Sequence, residues 1–317
     1  MGVGEFDLIA RIRARAGTRA DVALGIGDDA ALLAPPPGRQ LAVTADTLNA
    51  GVHFPDGTAP ADLGWKALAV NLSDLAAMGA EPAWCTLSLS LPRADAAWIG
   101  GFLDGFLDLA GRHGVALVGG DTTRGPLSVS VTAMGLVEPG RALRRDGARV
   151  GDDVWVTGTL GDAAGALALL AREPGHALRA RLDRPLPRVQ AGRALAGIAH
   201  ACVDVSDGLL ADLGHVCARS GVGAQVDVQA LPASDALRDA FDEDTRRALQ
   251  AGGGDDYELC FTAPAGARER IAGLAPAHDL CFTRIGRIVA GAGVQALDAD
   301  GQPWQPARRG YDHFPDA

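Results

Sequence analysis

The chain has 317 residues, of which 48% are hydrophobic and 21% are charged, a balance typical of globular proteins that excludes extensive disorder. Its formal net charge of −10, without a basic stripe, disfavours a nucleic-acid partner. No apolar run approaches membrane-spanning length and no signal-peptide pattern is present, so we expect a cytoplasmic protein without a membrane partner.

Hydrophobic periodicity in the first half predicts alternating helices and strands. Helical spacing covers residues 5–16, 60–79 and 95–112, and strand patterns cover 40–44, 84–91, 115–118 and 128–137. Glu138, Pro139 and Gly140 then interrupt the pattern, and an Arg-rich connector follows them. We therefore predict an N-terminal α/β domain over residues 1–140.

The second half predicts another α/β domain, over residues 149–317. Strands are expected at 153–157, up to Val203, at 224–228 and at 257–262, with helices after Gly161 and over 209–218. Segments 281–289 and 294–297 look like a closing hairpin.

Carboxylates recur where predicted strands end or where glycine-rich turns follow. They are Asp28, Asp29, Asp46, Asp121, Asp204 and Asp207. Ligands of α/β proteins bind at such strand ends, and Mg²⁺ prefers carboxylate and phosphate oxygens. Asp74 differs because it lies within a predicted helix and must point from one helical face.

Each carboxylate also has a simpler interpretation as a turn former or a helix N-cap. This applies above all to Asp207, which precedes the predicted helix at Leu209. Taken together, however, so many carboxylates at the edge of a fold would repel one another unless cations neutralise them. The combined pattern therefore favours a magnesium site.

Familiar phosphate-binding patterns are missing from the sequence. The single lysine, Lys66, follows Trp65 without a glycine-rich loop, and the kinase motifs His-Arg-Asp and Asp-Phe-Gly do not occur. An enzyme of this kind would rely on metal ions and arginines to neutralise a transferring phosphoryl group. Arg144 and Arg145 could bind phosphate or belong to a solvated linker, and Arg124 is a comparable candidate.

The motifs taken together resemble those of the thiamine-monophosphate kinase family, in order from Gly4 to Phe314. The segments that carry the resemblance are 25–31, 44–48 with His53 and Phe54, 66–80, 119–127, 204–209, 256–261 and 310–314. The block at 66–80 is the most specific of them. The resemblance implies ATP-dependent phosphorylation of thiamine monophosphate to thiamine diphosphate, by direct in-line transfer with several Mg²⁺ ions.

The resemblance also implies an architecture and a set of site residues. The fold would be the two-domain fold of aminoimidazole ribonucleotide synthetase, with N-terminal domains pairing into a β-barrel in a homodimer and a C-terminal α/β sandwich. The implied metal positions are Asp28, Asp29, Thr44, Ala45, Asp46, Asp74, Asp121, Asp204 and Asp207, of which Asp29, Asp46, Asp74, Asp121 and Asp207 are expected to be catalytic. ATP contacts fall on Gly120, Asp121, Arg145 and Ser206, and substrate contacts on His53, Asp255 and Tyr311.

Three positions depart from the family pattern. Ala45 replaces a hydroxyl residue, so that only its backbone carbonyl could bind metal, and Asp255 replaces a longer glutamate. Leu103 stands where many members carry an aromatic residue near the adenine. Two alternatives stay open: another ATP-using enzyme of the superfamily, or a non-catalytic metal- or nucleotide-binding protein.

Overall fold

The computed structural model describes residues 4–314, apart from the side chain of Glu5, and divides the chain into two compact units. The first unit comprises the chain up to Leu75 together with Ala80–Gly140, and the second comprises Ala76–Gly79 and the chain from Arg141 onward. The outer limits of the predicted domains, residues 1 and 317, lie outside the described residues. None of the described helices is both long and apolar enough to cross a membrane.

The first unit contains three helices and six strands among the described residues. The helices are α1 (Glu5–Arg15), α2 (Pro60–Ala77) and α3 (Ala96–Arg112). The strands are β1 (Val22–Leu24), β2 (Leu32–Leu33), β3 (Gln40–Asn49), β4 (Glu81–Leu91), β5 (Ala116–Arg124) and β6 (Ser128–Val137). Four strands form a mixed sheet in the order β3-β6-β4-β5, while β1 and β2 pair separately.

Two strands of this sheet extend further than their apolar pattern predicts. β3 pairs with β6 along its whole length, from Gln40 opposite Val137 to Asn49 opposite Ser128. β5 likewise continues beyond the predicted end at Val118 and pairs with β4 as far as Arg124. Asp46 and Asp121 are therefore inside strands, and the expectation that they follow strand ends is wrong. Backbone pairing with a neighbouring strand continues the ladder where the side-chain pattern has already stopped.

Helices α2 and α3 pack unusually closely in this unit. A Cβ atom on Gly105 would lie 1.7 Å from the carbonyl oxygen of Ala61, and one on Gly64 would lie 2.0 Å from that of Phe102. The two glycines therefore allow backbone-to-backbone contact between the helices. α2 is almost entirely buried as a result, and its few polar side chains are held in fixed positions.

The second unit contains a seven-stranded sheet and eight helices among the described residues. The strands are β7 (Asp152–Thr157), β8 (Ala201–Asp204), β9 (Gly223–Asp227), β10 (Leu259–Pro264), β11 (Phe282–Val289), β12 (Gly293–Leu297) and β13 (Pro303–Trp304). The helices are α4 (Asp162–Leu169), α5 (Arg179–Asp183), α6 (Val189–Leu195), α7 (Leu209–Ser220), α8 (Asp235–Ala240), α9 (Glu243–Gly252), α10 (Arg268–Ala272) and α11 (Ala275–His278). The sheet order is β13-β12-β9-β11-β7-β10-β8.

The predicted closing hairpin is wrong. β11 and β12 are consecutive in sequence, but β9 lies between them, antiparallel to β11 and parallel to β12. Gly223, at the start of β9, is opposite both Val289 and Gly293. The short connection between β11 and β12 passes the end of β9, so the two strands pair with it and not with each other. A distant segment thus occupies the place that sequence proximity assigned to the neighbouring strand.

Candidate active site

Three side chains of the predicted metal set come together in the first unit. Thr44 and Asp46 are two positions apart in β3, so their side chains lie on the same face of the strand. Helix α2 brings Asp74 to that face, where the Thr44 hydroxyl donates a hydrogen bond to Asp74 Oδ2. Burial, with a smaller contribution from the Asp74 charge, raises the pKa of Asp46 to about 6. Two half-buried carboxylates next to a hydroxyl form an oxygen-rich site that a divalent cation would stabilise.

The buried helix α2 also fixes the backbone of β3 at this point. The side-chain oxygen of Asn71 accepts a hydrogen bond from the backbone amide of Asp46 at 3.2 Å, and its amide nitrogen donates to the carbonyl of Ala67. Asn71 is fully buried, so the bond is shielded from water. The carboxylate of Asp46 therefore extends from a strand that the helix holds in register.

The side chain of Asp121 points to the face of the same sheet opposite to that of Asp46. The strand register places it in one cross-strand row with Ser88, Ser130 and Thr47. Asp46 belongs to the adjacent row, with Val131, Leu87 and Gly120. Because adjacent rows point to opposite faces of a sheet, the first unit does not bring Asp121 together with Asp46. Gly120 has φ +147°, and a Cβ there would lie 1.8 Å from the Leu87 carbonyl oxygen, so its backbone tolerates only glycine.

The turn containing Asp28 and Asp29 is exposed. The backbone amide of Asp29 donates to Asp28 Oδ1 at 2.9 Å, which is a turn-forming contact. Asp28 thus has a local role in the turn. The carboxylate of Asp29 is exposed and accessible to a ligand.

In the second unit, Asp204 is the last residue of β8, and the loop that follows carries Ser206 and Asp207. The N-cap of α7 is Gly208. The carboxylate that stabilises the turn is that of Asp212, because its Oδ2 accepts hydrogen bonds from the backbone amides of Ser206, Asp207 and Gly208 at 3.0–3.1 Å. The alternative interpretation of Asp207 as an N-cap is therefore wrong. Burial and the Asp207 charge raise the pKa of Asp212 to about 7, although these three amide bonds lower it.

Asp212 and His215 are the residues that the sequence pattern did not single out. Within the described part of the chain, Asp207, Asp212 and His215 place ligand atoms within 4.8 Å of one another. Asp212 and His215 lie in α7, so their i, i+3 spacing is a usable signal. The signal is weak because an acidic residue in a first helical turn is common without any ligand.

Arginines of the second unit line an open pocket of about 440 Å³. Its walls are Met78, Arg144, Arg145, Asp146, His215 and Arg219. Arg144 is engaged by Asp146 through two hydrogen bonds of 2.6 and 2.8 Å. With three guanidinium groups and one carboxylate, the pocket has the charge to bind an anion such as phosphate. Arg124 instead lines a pocket of about 380 Å³ in the first unit, beside Thr123 and Arg93.

The predicted substrate residues are held by local backbone contacts. His53 closes the turn after β3, where its Nδ1 accepts the amide of Asn49 at 3.0 Å and its carbonyl accepts a hydrogen bond from the buried Lys66 at 3.1 Å. Tyr311 is half exposed, and its amide donates to the carbonyl of Asp207 at 2.9 Å. Leu103 is fully buried, so this position faces the core and not a nucleotide.

The family models for the AIR synthase related protein N-terminal and C-terminal domains match residues 27–137 and 149–298. The chain is 48% identical to thiamine-monophosphate kinase of Salmonella typhimurium and 47% identical to that of Escherichia coli K12, over 99% of each chain. The chain belongs to the thiamine-monophosphate kinase family.

Solved structures of this family agree with the assignment. The crystal structure of thiamine-monophosphate kinase from Stenotrophomonas maltophilia is 59% identical with a TM-score of 0.88, over 96% of this chain and 99% of that one. A structure of AaThiL complexed with AMPPCP and TMP is 33% identical with a TM-score of 0.77, over 98% and 97%. The expected two-domain AIR synthase-like fold with mixed α/β content is thereby confirmed, and members of the thiamine-monophosphate kinase family are enzymes.

Proposed function

We propose that this protein transfers the γ-phosphoryl group of ATP to thiamine monophosphate, forming thiamine diphosphate by direct in-line transfer assisted by several Mg²⁺ ions. Membership of the thiamine-monophosphate kinase family supports the reaction. The observation that carries the site is the pair of carboxylates Asp46 and Asp74, placed beside Thr44 with the pKa of Asp46 raised by burial.

The donor set suits Mg²⁺, because it consists of hard oxygen ligands and contains negative charge that burial leaves poorly solvated. We assign the metal-holding role to Asp29, Thr44, Asp46, Asp74, Asp121, Asp204 and Asp207, with Asp28 and the carbonyl of Ala45 as additional ligands. Bound Mg²⁺ supplies neutralisation of the phosphate charge during transfer. Among these residues, Asp74 lies on α2, and the same helix holds the Thr44 hydroxyl and the backbone of Asp46 through hydrogen bonds.

The remaining residues bind the two substrates. The Gly120 backbone and Arg145 hold ATP phosphates, together with Ser206, whose amide position is fixed by Asp212. His53, Asp255 and the Tyr311 ring bind thiamine monophosphate, and the ring can stack on a thiamine heterocycle. The attacking atom is a phosphate oxygen of the substrate itself. Since that oxygen is already ionised, the chain needs no general base, and we assign none.

We further propose that the protein forms a homodimer in which N-terminal units pair into a β-barrel. β3 is an edge strand, and Leu41 and Val43 on it are 48% and 62% exposed. An exposed apolar edge strand is a pairing site for another chain. Closing the two sheets into a barrel would remove both edges and bury these side chains.

Incubation with ATP, Mg²⁺ and thiamine monophosphate tests the function, with thiamine diphosphate measured by chromatography. We expect stoichiometric conversion by the wild-type protein and none by Asp46→Ala, whose dimer should persist. Asp300→Ala, at an exposed turn residue, is the matched control and should retain full activity. Folded wild-type protein that consumes no thiamine monophosphate would contradict the proposal, and an active Asp46→Ala variant would remove Asp46 from the metal site.

The nearest alternative is another ATP-using enzyme of the superfamily. A selenophosphate synthetase would need a reactive cysteine or selenocysteine in a glycine-rich segment near the N-terminus. The first cysteine of this chain is Cys85, which is fully buried within β4, and burial raises the pKa of its thiol to about 12. Such a thiol is not a nucleophile at neutral pH, which favours the thiamine substrate.

A further inference from the structure

The segment Gly254–Glu258 has a strained backbone. Asp255 and Tyr257, two non-glycine residues separated by one position, both have left-handed conformations, with φ of +68° and +51°. An aspartate tolerates this region, but a bulky aromatic residue rarely adopts it. Such strain persists only where surrounding contacts enforce it, and it concentrates at functional sites.

Backbone hydrogen bonds tie the segment to the loop after β8. The amide of Asp255 donates to the carbonyl of Ser206 at 2.9 Å, and the amide of Tyr257 donates to that of Val205 at 2.8 Å. A Cβ on Gly254 would lie 2.5 Å from the Ser206 carbonyl oxygen, so the two backbones are in direct contact. The residue assigned to substrate therefore lies directly on the loop assigned to metal and ATP.

Buried carboxylates at alternate positions hold the segment from the other side. Asp256 accepts the amide of Gly161 at 2.7 Å. Glu258 is fully buried. Its carboxylate accepts hydrogen bonds from the Thr157 hydroxyl and from an Arg181 nitrogen, each at 2.7 Å, and from the guanidinium of Arg188. Asp256 and Glu258 thus fix the backbone on both sides of Tyr257, and the left-handed conformation is imposed by these contacts.

The consequence of this conformation is a contact between Tyr257 and Asp255. The Tyr257 hydroxyl donates to Asp255 Oδ1 at 3.0 Å, while the Tyr257 residue is only 7% exposed. A phenol held in place by packing donates to a carboxylate at little further entropic cost. Asp255 is shorter than the glutamate expected from the family pattern, and this bond holds one oxygen of its carboxylate.

We propose that Tyr257 is a positioning residue that orients the carboxylate of Asp255 toward thiamine monophosphate. The proposal rests on the proposed function. Tyr257 does not touch the reacting atoms. It acts through Asp255, so its loss should weaken substrate binding and leave the phosphoryl-transfer step nearly unchanged.

The variant Tyr257→Phe removes only the hydroxyl group. Without the hydroxyl, the Asp255 side chain must become ordered when the substrate binds, so we expect about a three- to tenfold increase in KM for thiamine monophosphate. The Kd from calorimetry, in the presence of a non-hydrolysable ATP analogue, should rise by the same factor. KM for ATP and kcat should change less than twofold.

The double-mutant cycle with Asp255→Ala separates positioning from a general structural effect. If Tyr257 acts through Asp255, Tyr257→Phe has no further effect on substrate binding in the Asp255→Ala background. Additive effects, an unchanged KM in Tyr257→Phe, or an equal rise in KM for ATP would each overturn the proposal. Folded wild-type protein that forms no thiamine diphosphate would overturn the proposed function and this inference together, whereas an active wild type with a silent Tyr257→Phe overturns this inference alone.

A second measurement keeps the test decisive if Tyr257→Phe fails to fold. The chain has two tyrosines, so fluorotyrosine labelling gives two ¹⁹F resonances, which Tyr311→Phe assigns. The Tyr257 resonance should move when thiamine monophosphate binds and when Asp255 is replaced by alanine. A resonance that responds to neither would overturn the proposal.

Discussion

Replacing Asp46 by asparagine should stabilise the metal-free protein at neutral and alkaline pH. In the folded chain, burial and the nearby Asp74 raise the pKa of Asp46 from 3.8 to about 6. The ionised carboxylate is therefore disfavoured in the folded state, and asparagine has nearly the same shape without the charge. The backbone bond from residue 46 to Asn71 does not depend on the side chain and should persist.

The magnitude follows from the difference in pKa between the folded and unfolded states. Well below pH 3.8, its ordinary pKa, the carboxyl is protonated in both states and has no effect on the stability difference. As the pH rises through the folded-state pKa, the unfolded state has already released its proton, so the free energy of unfolding falls. One pKa unit corresponds to about 1.4 kcal/mol, so the rise from 3.8 to about 6 lowers the free energy of unfolding by about 3 kcal/mol. This loss of stability is complete above pH 7.

The assay is urea denaturation of wild type and Asp46→Asn with EDTA present, between pH 3 and pH 8. We expect the stability difference to grow from near zero to about 3 kcal/mol in favour of the variant. Added Mg²⁺ should then stabilise the wild type more than the variant, which keeps the other proposed ligands, because ligand binding to the folded state adds stability. A stability difference that is independent of pH would refute the assigned environment of Asp46, and equal Mg²⁺ responses would refute its role as a ligand.

Three further substitutions test the packing and the assembly. Glu258→Gln removes the buried counter-charge of two partly buried arginines, Arg181 and Arg188, and should lower the free energy of unfolding of the second unit by about 3 kcal/mol in urea. The control Glu243→Gln, at an exposed position, should change it by less than about 0.5 kcal/mol. Gly105→Ala should lower the free energy of unfolding by about 3 kcal/mol. Gly100→Ala, in the same helix but with open space where its Cβ would lie, should leave stability unchanged or slightly higher. Equal effects of the two substitutions would refute the close helix contact. Val43→Lys should convert the dimer to a monomer, as measured by sedimentation velocity, and should leave the unfolding midpoint of the monomer unchanged. A dimer that persists in this variant would exclude the β3 edge as its interface.

The sequence by itself determined the types of most elements and the identity of the site-bearing segments. Alternation located β4 and β6, helical spacing located α2 and α3, and both signals are local because side-chain direction repeats every 2 or 3.6 residues. The motif order was sufficient to identify the family before any geometry was known. Asp74 extends from a helix, as its place in a helical pattern predicts, and there it contacts Thr44.

Only the tertiary structure decided which of these residues meet. Whether Asp46 and Asp121 share a face depends on the register of four strands, and the separation of β11 from β12 depends on β9, a strand distant in sequence from both. The left-handed conformation of Tyr257 likewise arises with contacts to another segment, since the amides of Asp255 and Tyr257 donate to carbonyls about 50 residues earlier, at Ser206 and Val205. Local periodicity sets the direction of a side chain relative to its own helix or strand. Which residues that side chain contacts depends on packing between elements, and the local sequence pattern does not encode this packing.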